Sequence, residues 1–79
     1  MSDDLSEFAK QVKLGMYQHF KGGHYKLLGI GRNSENRDEE FAVYQSLEKG
    51  YIWVRPLEMF FEDVDRDGYK GPRFRLIEE

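Results

Sequence analysis

The chain has 79 residues, a formal net charge of −3 and no cysteine. This length allows one domain, the lack of cysteine excludes disulfides and thiolate metal sites, and the acidic balance argues against a dedicated duplex-binding protein. No apolar run approaches the roughly 20 residues of a membrane span, and the acidic N-terminus has no hydrophobic signal core, so we expect a cytoplasmic protein. Without disulfides, a chain this small needs an aromatic core or an oligomer interface as its source of stability. Aromatic residues make up 15% of the chain, which favours the aromatic core.

The first predicted element is a short helix over residues 4–14. Asp4 and Glu7 have the spacing of a capping box. The apolar residues of this segment recur on one helical face: Leu5, Phe8 and Val12. A helix this short is marginal in isolation, so we expect that face to dock on the body of the domain or on a partner chain. The chain thus divides into an N-terminal helix, residues 1–14, and a single small β-barrel domain, residues 15–79.

After the predicted helix, the apolar residues follow the period of two that is typical of strands. The predicted strands are residues 17–20, 24–32, 41–47, 51–55 and 73–77. Residues 57–61 suit a single helical turn after Pro56, and the Asp-Arg-Asp-Gly sequence at 65–68 predicts a hairpin turn. The second strand is apolar on both faces, as in a small barrel. These elements predict a mainly β fold, a small SH3-like barrel of about five short strands with an N-terminal helix.

Five short motifs occur together in the second predicted unit. They are Tyr17-x-His19-Phe20-Lys21-Gly22-x-x-Tyr25, Leu28-Gly29-Ile30-Gly31-Arg32-x-Ser34-Glu35, Val43-Tyr44, Trp53-x-Arg55-Pro56-x-x-Met59-Phe60 and Pro72-Arg73-Phe74. With these motifs, about residues 15–77 resemble the bacterial domain-of-unknown-function family numbered 1653. The resemblance implies a compact β domain and carries over no catalytic residue. The predicted N-terminal helix lies outside it.

Residues 63–68 have the sequence Asp-x-Asp-x-Asp-Gly, which matches the opening of a calcium-binding loop. The twelfth position counted from Asp63 is Phe74, where such a loop needs a bidentate glutamate. We therefore interpret Asp63, Asp65 and Asp67 as part of an acidic hairpin turn whose glycine takes a positive φ. Weak calcium binding is the alternative. We predict no metal site here.

No group of residues has the composition of a catalytic centre. His19 and His24 bracket a predicted turn, but no third metal ligand adjoins them, so we expect a half-buried His19 that donates to the backbone. The Gly29-x-Gly31 motif resembles a dinucleotide fingerprint, yet no helix follows it. A small enzyme would need an acid/base pair such as His19 with Glu35. We predict a non-enzymatic protein that uses no cofactor.

The remaining candidates form an aromatic and cationic set: Arg32, Tyr44, Trp53, Arg55 and Arg73. Strand alternation places Trp53 and Arg55 on one face. The residues expected to fill the core from the opposite faces are Ile52, Val54, Phe74 and Leu76. Exposed rings beside guanidinium groups suit stacking on bases or capture of a phosphate or carboxylate. The alternative is a core Trp53, with the arginines paired to carboxylates such as Glu58 and Glu62. A shift of one residue in register would exchange the two faces.

Two functions are compatible with this set. In the first, a non-enzymatic binding module presents the aromatic and arginine face to a peptide or a single-stranded nucleic acid. In the second, a structural or oligomerisation domain buries that face and the N-terminal helix in a homodimer. The first requires Trp53 to be accessible in the free protein. Arg55→Ala should weaken ligand binding in the first case and leave a stable dimer little changed in the second.

Overall fold

A computed structural model of the protein describes residues 4–78. Its elements are α1 (Glu7–Lys10), β1 (Gly15–His19), β2 (His24–Asn33), β3 (Asn36–Ser46), β4 (Ile52–Pro56), α2 (Leu57–Phe60), β5 (Asp63–Arg66), β6 (Tyr69–Pro72) and β7 (Phe74–Glu78). Strands β4, β3, β2, β1 and β7 form one antiparallel sheet in that order, and β5 pairs with β6. A mainly β fold with short helices is therefore confirmed. Within residues 4–78, no pairing joins the edge strands β4 and β7 into a closed barrel.

Two local signals in the sequence place their elements correctly. Asp67 and Gly68 have φ values of 55° and 78°, so the predicted hairpin turn between β5 and β6 is confirmed. Both central residues of such a turn need a positive φ, which aspartate tolerates and glycine adopts freely. Pro56 is the last residue of β4, and α2 begins at the next residue. The single helical turn predicted after Pro56 is thus also confirmed.

The N-terminal helix is shorter than the predicted range of 4–14. Its N-cap is Ser6 rather than Asp4, and the Ser6 hydroxyl accepts a hydrogen bond from the Ala9 N–H at 3.1 Å. Ala9 is buried, and Leu5 and Val12 pack against the core, so the segment docks on the body of the domain. Since α1 has only four residues, packing rather than helix propensity must hold it. No helix within the described residues 4–78 is long and apolar enough to cross a membrane.

The Glu40 carboxylate of β3 accepts two hydrogen bonds from Ser6 at the start of α1. The Ser6 N–H and the Ser6 hydroxyl donate to the two oxygens of Glu40 at 2.7 and 2.6 Å. The hydroxyl bond and then the backbone bond from Ser6 lower the pKa of Glu40. A lowered pKa in the folded state stabilises the fold at pH values above the unfolded pKa, and this stabilisation is lost as the pH falls through the folded pKa. The contact therefore contributes to stability at neutral pH and not in acid.

We expect Ser6→Ala to raise the pKa of Glu40 towards its ordinary value, because the substitution removes the hydroxyl donor while the backbone donor remains. A carboxyl-detected NMR titration measures this pKa directly. Glu48 serves as the internal control, since its pKa is lowered first by the backbone N–H of His24. A Glu40 pKa that is the same in the variant and the wild type would contradict the assignment of this cause.

The core is a cluster of rings centred on Phe60. The Phe60 side chain is fully buried, and its ring stacks on Phe74 with centroids 4.1 Å apart and planes at 6°. Tyr17 and Tyr44 meet the same ring edge-on, at 5.4 and 5.1 Å. Leu57, one helical turn before Phe60 on α2, is also buried. The short helix α2 therefore delivers two side chains into the space between the strands.

Strand β4 faces the opposite way from the prediction. Trp53 pairs with Tyr44 of β3 and shares the face of that buried ring, whereas Val54 pairs with Val43 on the other face. Ile52 and Val54 are 54% and 62% exposed, so the expectation that they fill the core is wrong. The reason is that β4 is an edge strand whose outer face is left open. Phe74 is buried and Leu76 packs against the core, as predicted.

Candidate functional site

Three of the sequence-predicted site residues lie together on the inner face of the sheet. Tyr44 and Trp53 are directly opposite each other on β3 and β4. The Arg55 Nε donates to the Tyr44 hydroxyl at 3.3 Å. Tyr44 is only 4% exposed, whereas Trp53 is 49% exposed. Tyr44 therefore anchors the Arg55 guanidinium from within the core, and Trp53 presents an accessible ring beside it.

The other two predicted residues occupy different environments. Arg73 is buried, with its Nη2 at 2.7 Å from a Glu62 oxygen and its Nε donating to the Met59 carbonyl at 3.2 Å. This arginine is thus paired with a carboxylate, as the alternative interpretation proposed for the arginines. Arg32 lies opposite Glu40, and its Nε donates to the Arg37 carbonyl. Arg32 is not among the cations that lower the pKa of His19, whereas Arg55 and Arg73 are.

His19, at the end of β1, lies close to the rings of Phe20 and Phe74 and to the charges of Arg55 and Arg73. Its ring is 4.9 Å from that of Phe74 and 4.5 Å from that of Phe20. Its Nδ1 accepts a hydrogen bond from the Lys21 N–H at 3.1 Å, so the ring is an acceptor from the backbone and not the predicted donor. An accepting Nδ1 requires the neutral ring with its proton on Nε2. His24 lies instead against Glu48, with 3.5 Å between Nδ1 and the carboxylate.

The electrostatic surroundings of His19 are cationic. Burial is the largest cause of its lowered pKa, and the charges of Arg73, Arg55, Lys21 and Arg66 lower the pKa further. Every charged group that shifts this pKa is therefore a cation. Arg73 is neutralised by Glu62, but within residues 4–78 no carboxylate lies at ion-pairing distance from Lys21, Arg55 or Arg66. Three cations without an acidic partner thus surround one neutral imidazole.

Aromatic rings border the same region. Phe20 stacks on Tyr69 with centroids 5.2 Å apart. The Arg66 guanidinium carbon and the Lys21 Nζ lie 5.6 and 5.9 Å from the Phe20 centroid, which is cation–π distance. We refer to Trp53, Arg55, His19, Phe20, Lys21, Arg66 and Tyr69 as the cationic track.

The β5–β6 hairpin supplies the part of the track that is distant in sequence. Arg66 and Tyr69 face each other directly across the Asp67-Gly68 turn. A Cβ at Gly71 would lie 2.8 Å from the Tyr69 hydroxyl, so a side chain at this position would displace the Tyr69 ring. Asp63 and Asp65 belong to β5 itself, so the hairpin interpretation of the acidic segment is confirmed. Among residues 4–78, no three His, Cys, Asp or Glu side chains are grouped as a metal site.

Five members of the track lie outside the aromatic and cationic set predicted from the sequence: His19, Phe20, Lys21, Arg66 and Tyr69. The adjacent Phe20-Lys21-Gly22 residues at a turn were a local signal, since a ring and a cation beside a glycine turn are held close to the surface. Nothing in the local sequence indicated that Arg66 and Tyr69 would pack on Phe20. That contact depends on how the hairpin folds onto the β1–β2 turn.

We expect the pKa of His19 to lie below 6.5 in the free protein and to rise in Arg55→Ala, because one of the neighbouring cations is removed. Since the unfolded chain binds the proton first, the fold loses stability as the pH falls below about 6.5. An imidazole NMR titration measures the pKa, with Arg32→Ala as the control that removes a cation elsewhere. Equal His19 pKa values in both variants would contradict the cationic surroundings described here.

The comparisons with known proteins agree with this fold and assign no activity. A crystal structure of a protein belonging to DUF1653 from Bordetella bronchiseptica is similar to this chain, with a TM-score of 0.76 and 33% sequence identity over 87% of this chain and 91% of that one. No curated protein matches the sequence. The model of the family described as "Protein of unknown function (DUF1653)" matches residues 15–76. The expected family resemblance is thereby confirmed, and the chain belongs to the DUF1653 family of proteins of unknown function.

Proposed function

We propose that this protein is a non-enzymatic binding module that holds a single-stranded nucleic acid along the cationic track. One observation carries the proposal: Lys21, Arg55 and Arg66 surround His19 without a carboxylate partner and adjoin accessible aromatic rings. Other proteins bind single-stranded nucleic acids with this combination, in which cations contact the phosphates and aromatic rings stack on the bases. Each stacked base contributes about 1–3 kcal/mol in such sites.

The members of the track have different roles in this proposal. Trp53 is half exposed and offers a face for stacking, while Phe20 and Tyr69 form a second aromatic platform. Arg55, fixed by the Tyr44 hydroxyl, meets a phosphate without a large loss of side-chain entropy. Tyr44 and Arg73 act as supports rather than as contacts, since both are buried. Arg32 is not part of the proposed surface.

The overall charge limits the strength of this interaction. The chain carries a net charge of −3, so a phosphate backbone meets a local cationic surface on an acidic protein. We therefore expect modest affinity that falls steeply as salt is added. A single strand fits better than a duplex because stacking needs bases whose faces are open.

The SH3-like architecture and a peptide ligand, both expected from the sequence, also stay predictions. The single aromatic core shared by β1, β3, β7 and α2 supports an SH3-like architecture, although the sheet is open between β4 and β7. A peptide remains the other ligand class predicted from the sequence. The cationic surroundings of His19 favour the nucleic acid, because phosphates are present at every nucleotide and a carboxylate is not present at every peptide residue.

The test is a titration of the full chain with a labelled single-stranded 12-mer of mixed sequence, followed by fluorescence anisotropy and by amide NMR. We expect saturable binding at low salt, a slope of log K against log salt near −0.7 for each phosphate contact, and shifts concentrated at the track. Arg55→Ala should weaken binding, and Arg32→Ala, which removes the same charge, should not. Absence of saturable binding at 20 mM salt, or equal losses in the two variants, would refute the proposal.

A further inference from the structure

A cleft of about 910 Å³ lies where β4 leaves the sheet. Strand β4 pairs with residues 41–45 of β3, and within residues 4–78 the preceding part of β3, residues 36–40, has no strand beside it on that side. The chain turns at Pro56 into α2 instead of continuing along β3. The cleft is lined by this free part of β3, by α2 and by the start of α1. It shares no residue with the cationic track.

Much of the lining of this cleft is apolar, and part of that apolar surface is accessible. Phe8 of α1 and Met59 of α2 are 47% and 42% exposed, whereas Leu57 is buried. Phe8 meets the ring of Phe61 edge-on with centroids 5.6 Å apart, so the apolar surface is continuous from α1 to the end of α2. Phe41 adds a further ring from β3. An accessible apolar surface inside a concave site is typical of a place that receives a side chain of a ligand.

The same cleft is lined by carboxylates. Three come from β3 and one from α2: Asp38, Glu39, Glu40 and Glu58. Within residues 4–78, the lining contains neither lysine nor arginine, and no cation lies at ion-pairing distance from any of the four. Arg32, opposite Glu40 on β2, acts on that carboxylate from outside the lining. The charge of the cleft is therefore strongly negative.

Hydrogen bonds position two of these carboxylates without neutralising them. Glu40 accepts from the N–H and the hydroxyl of Ser6. Glu39 accepts from the side-chain amide of Asn33 at 2.6 Å. Neutral donors of this kind fix a carboxylate and leave its charge in place. The other two carboxylates are exposed. The cleft thus presents negative charges from two elements beside one apolar surface.

We infer that this cleft binds a basic and apolar segment of a partner protein, in which a large apolar side chain is flanked by lysine or arginine. The apolar side chain packs against Phe8 and Met59, and the flanking cations meet the carboxylates of β3 and of Glu58. Charge complementarity of this kind favours the correct partner and speeds association. A central apolar anchor within a polar surround is the usual arrangement of an interface that binds through few residues.

Other classes of ligand match only one part of the cleft. Carboxylates repel the phosphates of a nucleic acid or of an anionic membrane surface. A polyamine neutralises the carboxylates but has no large apolar group to cover Phe8 and Met59. An uncharged apolar segment would remove the carboxylates from water without pairing them, which costs free energy. A basic and apolar segment matches both parts. This inference does not depend on nucleic-acid binding, because the cleft and the cationic track are separate.

The test is an anisotropy titration of the labelled octapeptide Gly-Lys-Arg-Leu-Phe-Arg-Lys-Gly with the full chain, at about 100 mM salt. We expect saturable binding. The same peptide with Ser-Gly in place of Leu-Phe should bind on the order of tenfold or more weakly, since it has no apolar anchor. Methyl NMR locates the site, because Met59 lines the cleft and Met16 lies on β1. The Met59 methyl signal should shift as the peptide saturates, and the Met16 signal should not.

The double variant Asp38→Lys/Glu58→Lys should weaken binding of the octapeptide on the order of tenfold or more, because two attractive charges become repulsive. The matched control is Glu35→Lys/Asp65→Lys, which changes two exposed carboxylates outside the cleft. Both double variants change the net charge from −3 to +1, since each substitution of a carboxylate by lysine adds two charges. Equal losses in the two variants would assign the binding to overall charge and overturn the inference.

Four further results would each overturn it. The first is no saturable binding of the octapeptide at protein concentrations up to about 1 mM. The second is equal binding of the Ser-Gly peptide, or full displacement by an equal concentration of spermidine, since the carboxylates would then accept any cation. The third is a peptide-induced shift at Met16 and not at Met59. The fourth is a dimer, seen by sedimentation, that Asp38→Lys/Glu58→Lys abolishes, which would assign the cleft to a second copy of this chain.

Discussion

Phe60→Ala is expected to lower the free energy of unfolding by about 3–5 kcal/mol, the usual range for removing a buried phenylalanine. The Phe60 ring has no exposed surface and is in contact with the rings of Tyr17, Tyr44, Phe61 and Phe74. Total stabilities are about 0.05–0.15 kcal/mol per residue, or roughly 4–12 kcal/mol for a chain of this length. One truncation therefore removes a large share of the stability and leaves a domain close to its unfolding transition.

Urea denaturation followed by tryptophan fluorescence measures this loss. The matched control is Met59→Ala, since Met59 is the preceding residue of the same helix but is 42% exposed. We expect the control to cost less than about 1 kcal/mol. If Phe60→Ala is unfolded even without urea, the milder variant Phe60→Leu is measured instead. We expect it to lower the free energy of unfolding by about 1–2 kcal/mol. Equal costs for Met59→Ala and either Phe60 variant would contradict a core centred on this ring.

The elements that the sequence predicted well are those that local chemistry determines. The Asp67-Gly68 turn requires two positive φ values, and few residue pairs tolerate that conformation. The helical turn after Pro56 begins where a ring with fixed φ ends an edge strand. The N-terminal helix was overestimated because capping and apolar spacing fitted a long helix. Helix length there is decided by docking of Ala9 and by the contact of Ser6 with Glu40, which local sequence does not encode.

The face of β4 could not be predicted because its alternation is ambiguous. Ile52, Trp53 and Val54 are all large and apolar, so either phase of the strand could have filled the core. The choice is made by pairing with β3, where Tyr44 already occupies the core and sets Trp53 on its face. An edge strand also has too few neighbours to bury either phase completely. The pattern of hydrophobicity therefore gave the strand but not its orientation.

Only part of the candidate site could be predicted from the sequence. Trp53 and Arg55 share a strand face at a spacing of two, so their proximity follows from period alone. The contact of Arg66 with Phe20 joins residues that are remote in sequence, and no propensity predicts it. The burial of Arg73 was also not predictable, because it depends on the Met59 carbonyl and Glu62 lying beside it. Long-range packing supplied the cationic surroundings that the sequence only suggested.

The double charge reversal Lys21→Glu/Arg66→Glu is expected to weaken binding of a single-stranded 12-mer on the order of 100-fold at 50 mM salt. Both cations lie over the Phe20 ring and next to His19. Reversal removes two phosphate contacts and places two carboxylates where the phosphates would lie. The slope of log K against log salt should fall by about 1.4, since each single-strand contact contributes about 0.7. Anisotropy titrations at several salt concentrations give both quantities.

The matched control for this reversal is Lys26→Glu/Lys49→Glu, which changes two exposed lysines outside the track. Both double variants change the net charge from −3 to −7, because each substitution of a cation by glutamate subtracts two charges. A general electrostatic effect of the whole protein would weaken binding equally in the two variants, and that result would contradict a localised site. A loss confined to Lys21→Glu/Arg66→Glu, with its smaller salt slope, requires the phosphates to lie beside Phe20. The cationic track then acts as a site, and the remaining basic residues do not.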